Sequence, residues 1–214
     1  MRTSNQFFRS LHKALLFLGI GLLAPSAVPS TYTAQSMGIL GSGWSWGHGI
    51  DSKGRVCGLA QTVGAAYTQP FLAHGVQITQ LTAPPDLGGA GWGMNDLGDV
   101  VGEQDFFGTG YYYRAAKWRV GSRVVLPDYG FSSEAEAVGN SGRIVGFVDA
   151  DANGTARHAA YWDNMVLHDI GTLGGPWAIA WGVNDAGTIV GTSGTPDGTS
   201  HAFKSTGAQL VDLG

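Results

Sequence analysis

Four short segments of this chain alternate large with small side chains, and each runs into a turn rich in Asn, Asp and Gly. Reading back in twos from the turn, one set of positions holds Trp44, Trp46, His48 and Ile50 in the first segment and Gly88, Ala90, Trp92 and Met94 in the second. The third segment has Ser132, Glu134, Glu136 and Val138, and the fourth Trp177, Ile179, Trp181 and Val183. The interleaved positions are small throughout: Ser45, Gly47, Gly49; Gly89, Gly91, Gly93; Ser133, Ala135, Ala137; Ala178, Ala180, Gly182. A period of two predicts a β-strand with one face stripped to Gly, Ala or Ser. Such a face lets another layer approach closely, as the innermost strands of a radial array require.

The turns are Asp51-Ser52-Lys53-Gly54, Asn95-Asp96-Leu97-Gly98, Gly139-Asn140-Ser141-Gly142 and Asn184-Asp185-Ala186-Gly187. A Gly in fourth place supplies the positive φ that closes a short bulged hairpin. The tetrapeptides Arg55-Val56-Cys57-Gly58, Asp99-Val100-Val101-Gly102, Arg143-Ile144-Val145-Gly146 and Thr188-Ile189-Val190-Gly191 follow at spacings of 44, 44 and 45 residues. Asn153-Gly154 and Asp197-Gly198 mark further hairpins. The last copy reads as strands at Trp177–Val183, Thr188–Gly191, His201–Lys204 and Gln209–Leu213. No stretch after residue 30 shows the apolar period of a long helix.

These signals predict an all-β fold of four tandem four-stranded antiparallel repeats, at 39–82, 83–127, 128–172 and 173–214. Strand number and period match a β-propeller blade, with an open β-repeat array as the alternative. Met37-Gly38-Ile39-Leu40-Gly41 echoes Ile170-Gly171-Thr172-Leu173-Gly174, so Tyr32 to Gly38 reads as a further fourth strand. The ring closes alone or with another copy.

Composition adds an address. Arg2, Arg9 and Lys13 precede the apolar run Ala14 to Ala24, and small and polar residues follow to Ser30. This layout predicts a signal peptide over residues 1–30 and a secreted, extracellular or periplasmic protein with no membrane span after its removal. The remainder carries nine Lys plus Arg against sixteen Asp plus Glu, a net charge of −7. That balance argues against nucleic acid and anionic membranes as partners. The one cysteine, Cys57, stands where other copies have Val101, Val145 and Val190, and reads as a small buried apolar residue.

The units resemble the HAF-repeat family of probable extracellular repeat proteins. The tripeptide stands as His201-Ala202-Phe203, with a related form at His158-Ala159-Ala160-Tyr161-Trp162 and a degenerate one at Arg114-Ala115-Ala116-Lys117-Trp118. The run Ile170-Gly171-Thr172-Leu173-Gly174-Gly175 and the Asn-Asp-Ala-Gly to Ile-Val-Gly stretch at 184–191 complete the pattern. Copy one departs, with Gln69-Pro70-Phe71-Leu72 in the tripeptide's place, which puts the regularity of its third strand in question. The resemblance implies an exported, repeat-built β protein and no catalytic residues.

Three groups of residues could carry chemistry. Trp46, His48, Trp92, Glu136 and Trp181 share one strand face; aromatic faces with carboxylates suit a sugar, and ordinary packing between sheets is the other reading. Glu134 and Glu136, two apart on one strand, could serve as a glycosidase acid pair or as a solvated polar rim. Asp149, Asp151 and Asn153, with Asp163 near, resemble the start of a calcium loop, but the twelfth place is Ala160 instead of a bidentate Glu, and a solvated hairpin turn is the simpler account. No cofactor is expected beyond that calcium candidate. The expected function is a non-enzymatic binding or scaffold module for a polysaccharide or a cell-surface protein. The alternative is a secreted carbohydrate-active enzyme using Glu134 and Glu136.

Overall fold

The computed structural model describes residues 36, 38, 40, 43–61, 66–81, 88–107 and 111–214. The signal peptide read at 1–30 and most of the fourth-strand-like stretch Tyr32 to Gly38 lie outside the described residues. Among the described residues there are sixteen strands and no helix. They form four antiparallel sheets, each with its four strands in chain order. The first sheet is β1 (Ser45–Ile50), β2 (Val56–Gln61), β3 (Thr68–His74) and β4 (Gln77–Gln80). The second is β5 (Gly89–Met94), β6 (Val100–Phe107), β7 (Tyr111–Arg119) and β8 (Ser122–Val125). The third is β9 (Ser133–Val138), β10 (Ile144–Asp149), β11 (Arg157–Asp163) and β12 (Val166–Gly171). The fourth is β13 (Ala178–Val183), β14 (Ile189–Gly194), β15 (Ser200–Ser205) and β16 (Val211–Asp212). The second strand of the last copy runs three residues beyond the expected Gly191, because its ladder with β15 continues to Gly194 opposite Ser200.

The sheets pack in series, face to face. β5 lies on β1, β2 and β3; β9 lies on β5, β6 and β7; β13 lies on β9, β10 and β11. Among the described residues no strand of the first sheet packs comparably on a strand of the fourth. A four-stranded sheet cannot bury its apolar residues alone, so the core forms between sheets. Cys57 and Leu81 of the first sheet meet Val100, Ala116 and Trp118 of the second. Val101 and Leu126 of the second meet Ala135, Val138, Ile144 and Trp162 of the third. Val145, Tyr161 and Ile170 of the third meet Ala178, Ala180, Ile189 and Phe203 of the fourth. Burial pushes the Cys57 thiol up to about 12, which leaves it an inert apolar filler.

Register explains why the Ile-Val-Gly run repeats. In every first strand the pairing slips by one residue, between Gly47 and Gly49, Gly91 and Gly93, Ala135 and Ala137 (opposite Gly146 and Val145), and Ala180 and Gly182. The extra residue is a β-bulge, which sharpens the local twist. Beside it the two strands come so close that a Cβ on Gly58, Gly102, Gly146 or Gly191 would overlap the carbonyl oxygen of Trp46, Ala90, Glu134 or Ile179. The bulge also corrects the expectation of one uninterrupted small face. Ahead of it, Gly91 points at Gly58 of the preceding sheet; beyond it, Gly93 points at Glu136 and Ala137 of the following one.

Third strands solve the packing in two ways. Phe71 and Phe203 lie opposite the repeated Gly, with small Ala73 and Ser205 two residues on. Ala116 and Ala160 take that place in the middle sheets, followed by fully buried Trp118 and Trp162. Each third strand thus places a large ring at one of these two adjacent sites. β3 is regular despite its departure from the repeat: Gln69 stands in the tripeptide's His place and Phe71 in its Phe place. The His place pairs across to the fourth strand as Gln69–Gln80 (3.5 Å), His158–Asp169 (2.8 Å) and His201–Asp212 (2.9 Å), and in the second sheet to the segment after β8 as Arg114–Asp128 (3.3 Å).

The Gly-closed turns link the sheets at one end. Gly54, Gly98, Gly142 and Gly187 have φ between 74° and 91°, as expected. The N–H of Ser52 donates to Asp96 Oδ1 (2.8 Å), that of Asp96 to Asn140 Oδ1 (2.9 Å), and that of Asn140 to Asp185 Oδ1 (3.0 Å). Each turn therefore hands a hydrogen bond to the next copy.

Gly102→Ala and Gly146→Ala are expected to lower stability by at least ~2 kcal/mol through overpacking against backbone. Gly139→Ala, whose Cβ would meet atoms no nearer than 3.6 Å, is expected to be near neutral. Thermal melts followed by circular dichroism check both.

Candidate functional site

The bulge residues are His48, Trp92, Glu136 and Trp181. Bulges re-aim side chains and recur beside functional sites. Four of the five residues expected on a shared ligand face are thus the extra residues of their strands, and Trp46 sits two positions ahead of one. The structure brings several of them together. The His48 ring meets Trp92 edge-on at 4.6 Å, and Trp44 and Trp46 lie 5.0 Å apart. Burial lowers the His48 pKa, so the ring is neutral at pH 7. Trp181 is turned to its own sheet, its indole N–H donating to Thr192 Oγ1 at 3.3 Å.

Glu134 and Glu136 stand together, and a third carboxylate, Glu103 of β6, joins them. Burial, then the charge of Glu136, raises Glu134 to about 8. Burial, then Glu134, raises Glu103 to about 8; burial, then Glu103, raises Glu136 to about 7. Arg157 of β11 pulls Glu134 and Glu136 back down, and the Trp92 indole does so for Glu134. Arg157 is itself held by Asp149 at 2.8 Å and lies 3.8 Å over the Phe147 ring. The chemistry available is that of carboxyls held largely in the protonated form near neutral pH, beside aromatic rings. They can donate and accept hydrogen bonds at neutral pH without carrying three full charges.

Arg157 also borders an open groove of about 670 Å³ lined by Tyr111, Tyr112, Tyr113, Phe131 and Asp149. Tyr111 donates to Asp105 Oδ1 at 2.8 Å, and Tyr113 meets Phe147 edge-on at 6.3 Å. Sequence reasoning missed Glu103 and this groove. The signals were present: Glu103 is the one charge at a place that holds Leu59, Phe147 and Thr192 elsewhere, and Tyr111-Tyr112-Tyr113 interrupts an otherwise plain third strand.

The calcium-loop-like stretch forms a hairpin turn whose own donors engage its acids. Asp151 Oδ1 accepts from the N–H of Asn153 and of Thr155, both at 2.9 Å, while its other oxygen takes the Thr155 hydroxyl. Asp149 is held by Arg157, and Asp163 by Arg143 at 2.6 Å. Among the described residues no group of three or more His, Cys, Asp or Glu is arranged to hold a metal ion.

Among the described residues the first strands pack on one another in series, β1 with β5, β5 with β9 and β9 with β13, so the sheets radiate from a common inner edge. The arrangement is similar to the β-propeller domain of the Trilobed protease from Pyrococcus furiosus, described as having an open velcro topology (TM-score 0.57, 10% identity, 80% of this chain on 52% of that one). This chain is an open β-propeller. Its four blades are also similar to part of an acylaminoacyl peptidase from Pyrococcus horikoshii (TM-score 0.53, 13% identity, 80% of this chain on 27% of that one). The chain thus spans about half and about a quarter of these proteins, and the likeness concerns the fold. No family model matches the sequence, and no curated protein is similar to it.

The carboxyl cluster gives the blades a pH response. In the folded state these groups hold protons that the unfolded chain releases near the ordinary carboxylate value. Stability is therefore full below about pH 4.5 as far as these groups are concerned, and is lost as pH rises toward about 8. Melting temperature is expected to fall between about pH 5 and 8.5, and Glu103→Gln to flatten that fall and raise the melting temperature at pH 8. A flat or rising profile in the parent would contradict the clustering.

Proposed function

We propose that the protein is an exported, non-enzymatic propeller of the HAF-repeat type whose inner strands bind polysaccharide. The supporting observation is the exposure of tryptophan on those strands. Trp46 is 60% and Trp181 49% exposed, so neither serves the packing between blades that was the alternative account of them. Flat apolar rings with a polar edge, held by a rigid sheet, suit the faces of pyranose rings, and neighbouring carboxyls suit their hydroxyls. A cell-surface protein is the other class of ligand such a face would take, and fold-level analogy says nothing about which. Export rests on the leader-like pattern of residues 1–30 and the family on the repeated motifs.

The enzymatic reading keeps one supporting observation, the raised pKa of Glu134 and Glu136, which general acids need. An acid and base pair, however, has its two pKa values pushed apart. Here Glu103, Glu134 and Glu136 all move upward, to about 8, 8 and 7, which suits a hydrogen-bonding surface better than a division of labour.

A glycan array and affinity electrophoresis on the purified protein test the proposal. Trp46→Ala and Trp181→Ala are expected to weaken retention by tenfold or more, and Glu136→Gln only modestly. Turnover of a glycan that Glu136→Gln abolishes would install the enzyme instead. Failure to retain any glycan would remove the polysaccharide and leave a surface protein as ligand.

A further inference from the structure

One hairpin of the four is longer than the rest. The ladders β2–β3, β10–β11 and β14–β15 have six pairs each, while β6–β7 has eight. The pair Asp105–Tyr113 matches Asp149–Arg157 of the next blade, and beyond it Phe106 pairs with Tyr112 and Phe107 with Tyr111. This extension brings Tyr111 and Tyr112 to the groove of about 670 Å³ between the second and third blades. The turn from Asp149 to Arg157 lines it from the third blade, and Phe131 joins from the segment leading into β9.

The extension is stiff. The Phe106 and Tyr112 rings stack at 5.5 Å, and Arg114 lies over both. Tyr111 donates to Asp105, which is buried, and the Tyr113 hydroxyl accepts from Arg157 Nη2 at 3.4 Å. The Tyr111 and Tyr113 rings stand 6.3 Å apart at 52° to each other. Tyr111 is 61% exposed all the same. A ring tethered by its hydroxyl and open on its face is in position before any ligand arrives.

What the groove leaves unengaged defines its ligand. Main-chain donors of the Asp149–Arg157 turn are spent within it: the N–H groups of Asn153 and Thr155 go to the Asp151 carboxylate, that of Gly154 to the Asp151 carbonyl and that of Ala150 to the Ala156 carbonyl. An extended peptide adding a strand would find no row of free main-chain groups there. The carboxylates are engaged too, Asp149 by Arg157, Asp151 by its own turn and Asp105 by Tyr111, so none is left for an ammonium group. Asp149 and Asp151 outnumber Arg157 at the groove, which disfavours an anionic ligand. Tyrosine faces remain, with the Asn153 amide and Arg157 Nη1, which makes no hydrogen bond among the described residues. Those groups suit an uncharged ring bearing hydroxyls.

We propose that this groove is a second glycan site, taking a neutral pyranose unit of the polysaccharide whose chain is also held at the inner strands. The groove rests on the polysaccharide reading above for its polymer. Its size is that of a small-ligand site. Arg157 joins the two places, because it lines the groove and its charge reaches Glu134 and Glu136. A chain with many repeats can occupy both sites, and each then raises the local concentration of units at the other.

Calorimetric titration of the purified protein with neutral trisaccharides (from β-1,4-glucan, β-1,4-mannan and β-1,3-glucan) and with trigalacturonic acid tests this. A neutral trisaccharide is expected to bind at two per chain, and at one per chain in Tyr111→Ala and in the double variant Trp46→Ala with Trp181→Ala. The parent should hold the matching polymer at least about tenfold more tightly than the trisaccharide. Either variant should lose that gain with an unchanged circular dichroism spectrum. One trisaccharide per chain, lost with the tryptophans and untouched by Tyr111→Ala, would overturn the groove and leave the inner-strand site. The reverse pattern would bear out the groove and overturn the inner-strand site. Tighter binding of trigalacturonic acid would overturn the neutral class, and no heat from any of these sugars would overturn both sites.

Discussion

Everything in this protein depends on how near one sheet can come to the next. Each blade has only four short strands, and most of the fully buried side chains lie at the junctions between blades. The small stripe on the first strand allows the approach. The bulge then turns the strand so that the residues beyond it face the following blade instead of the preceding one. A single strand can in this way pack against neighbours on both sides, which an unbroken two-residue period would forbid.

That constraint also shapes the candidate site. A bulge leaves one side chain without a place in either junction, and it is this side chain that reaches the inner edge. The scaffold therefore presents four variable residues, His48, Trp92, Glu136 and Trp181, without disturbing what lies between blades. The repeated Gly of the second strand is the structural cost, since no Cβ fits beside the bulge. The junction-filling residues and the bulge residues alternate along one strand, so the bulge residue can differ from copy to copy without changing the junctions.

Much of this was legible in the sequence. Repeat spacing, the Gly-closed turns and the alternation of the first strands specified strand number, order and sheet count, because each rests on local backbone chemistry. The bulge was not legible: alternation through Trp92 and Glu136 looks unbroken when read as letters, and only pairing with the second strand shows the slipped register. Glu134 and Glu136 were found as a pair, but Glu103 feels their charge from the neighbouring blade, across 31 and 33 positions of sequence that no periodicity encodes. The third-strand exchange of Phe with Ala for Ala with Trp was similarly hidden, since the two solutions look like degeneration of one motif until their rings are seen filling adjacent sites.

The central claim, that junctions between blades and not the sheets themselves hold the fold, is tested most directly by comparing two valines of one sheet in equilibrium unfolding. Val101 is fully buried at a junction, and Val124 of β8 is 41% exposed on the outer strand. Val101→Ala is expected to cost about 2 kcal/mol through lost burial and the cavity left behind, and Val124→Ala less than about 0.5 kcal/mol. Equal losses at the two sites would contradict the account.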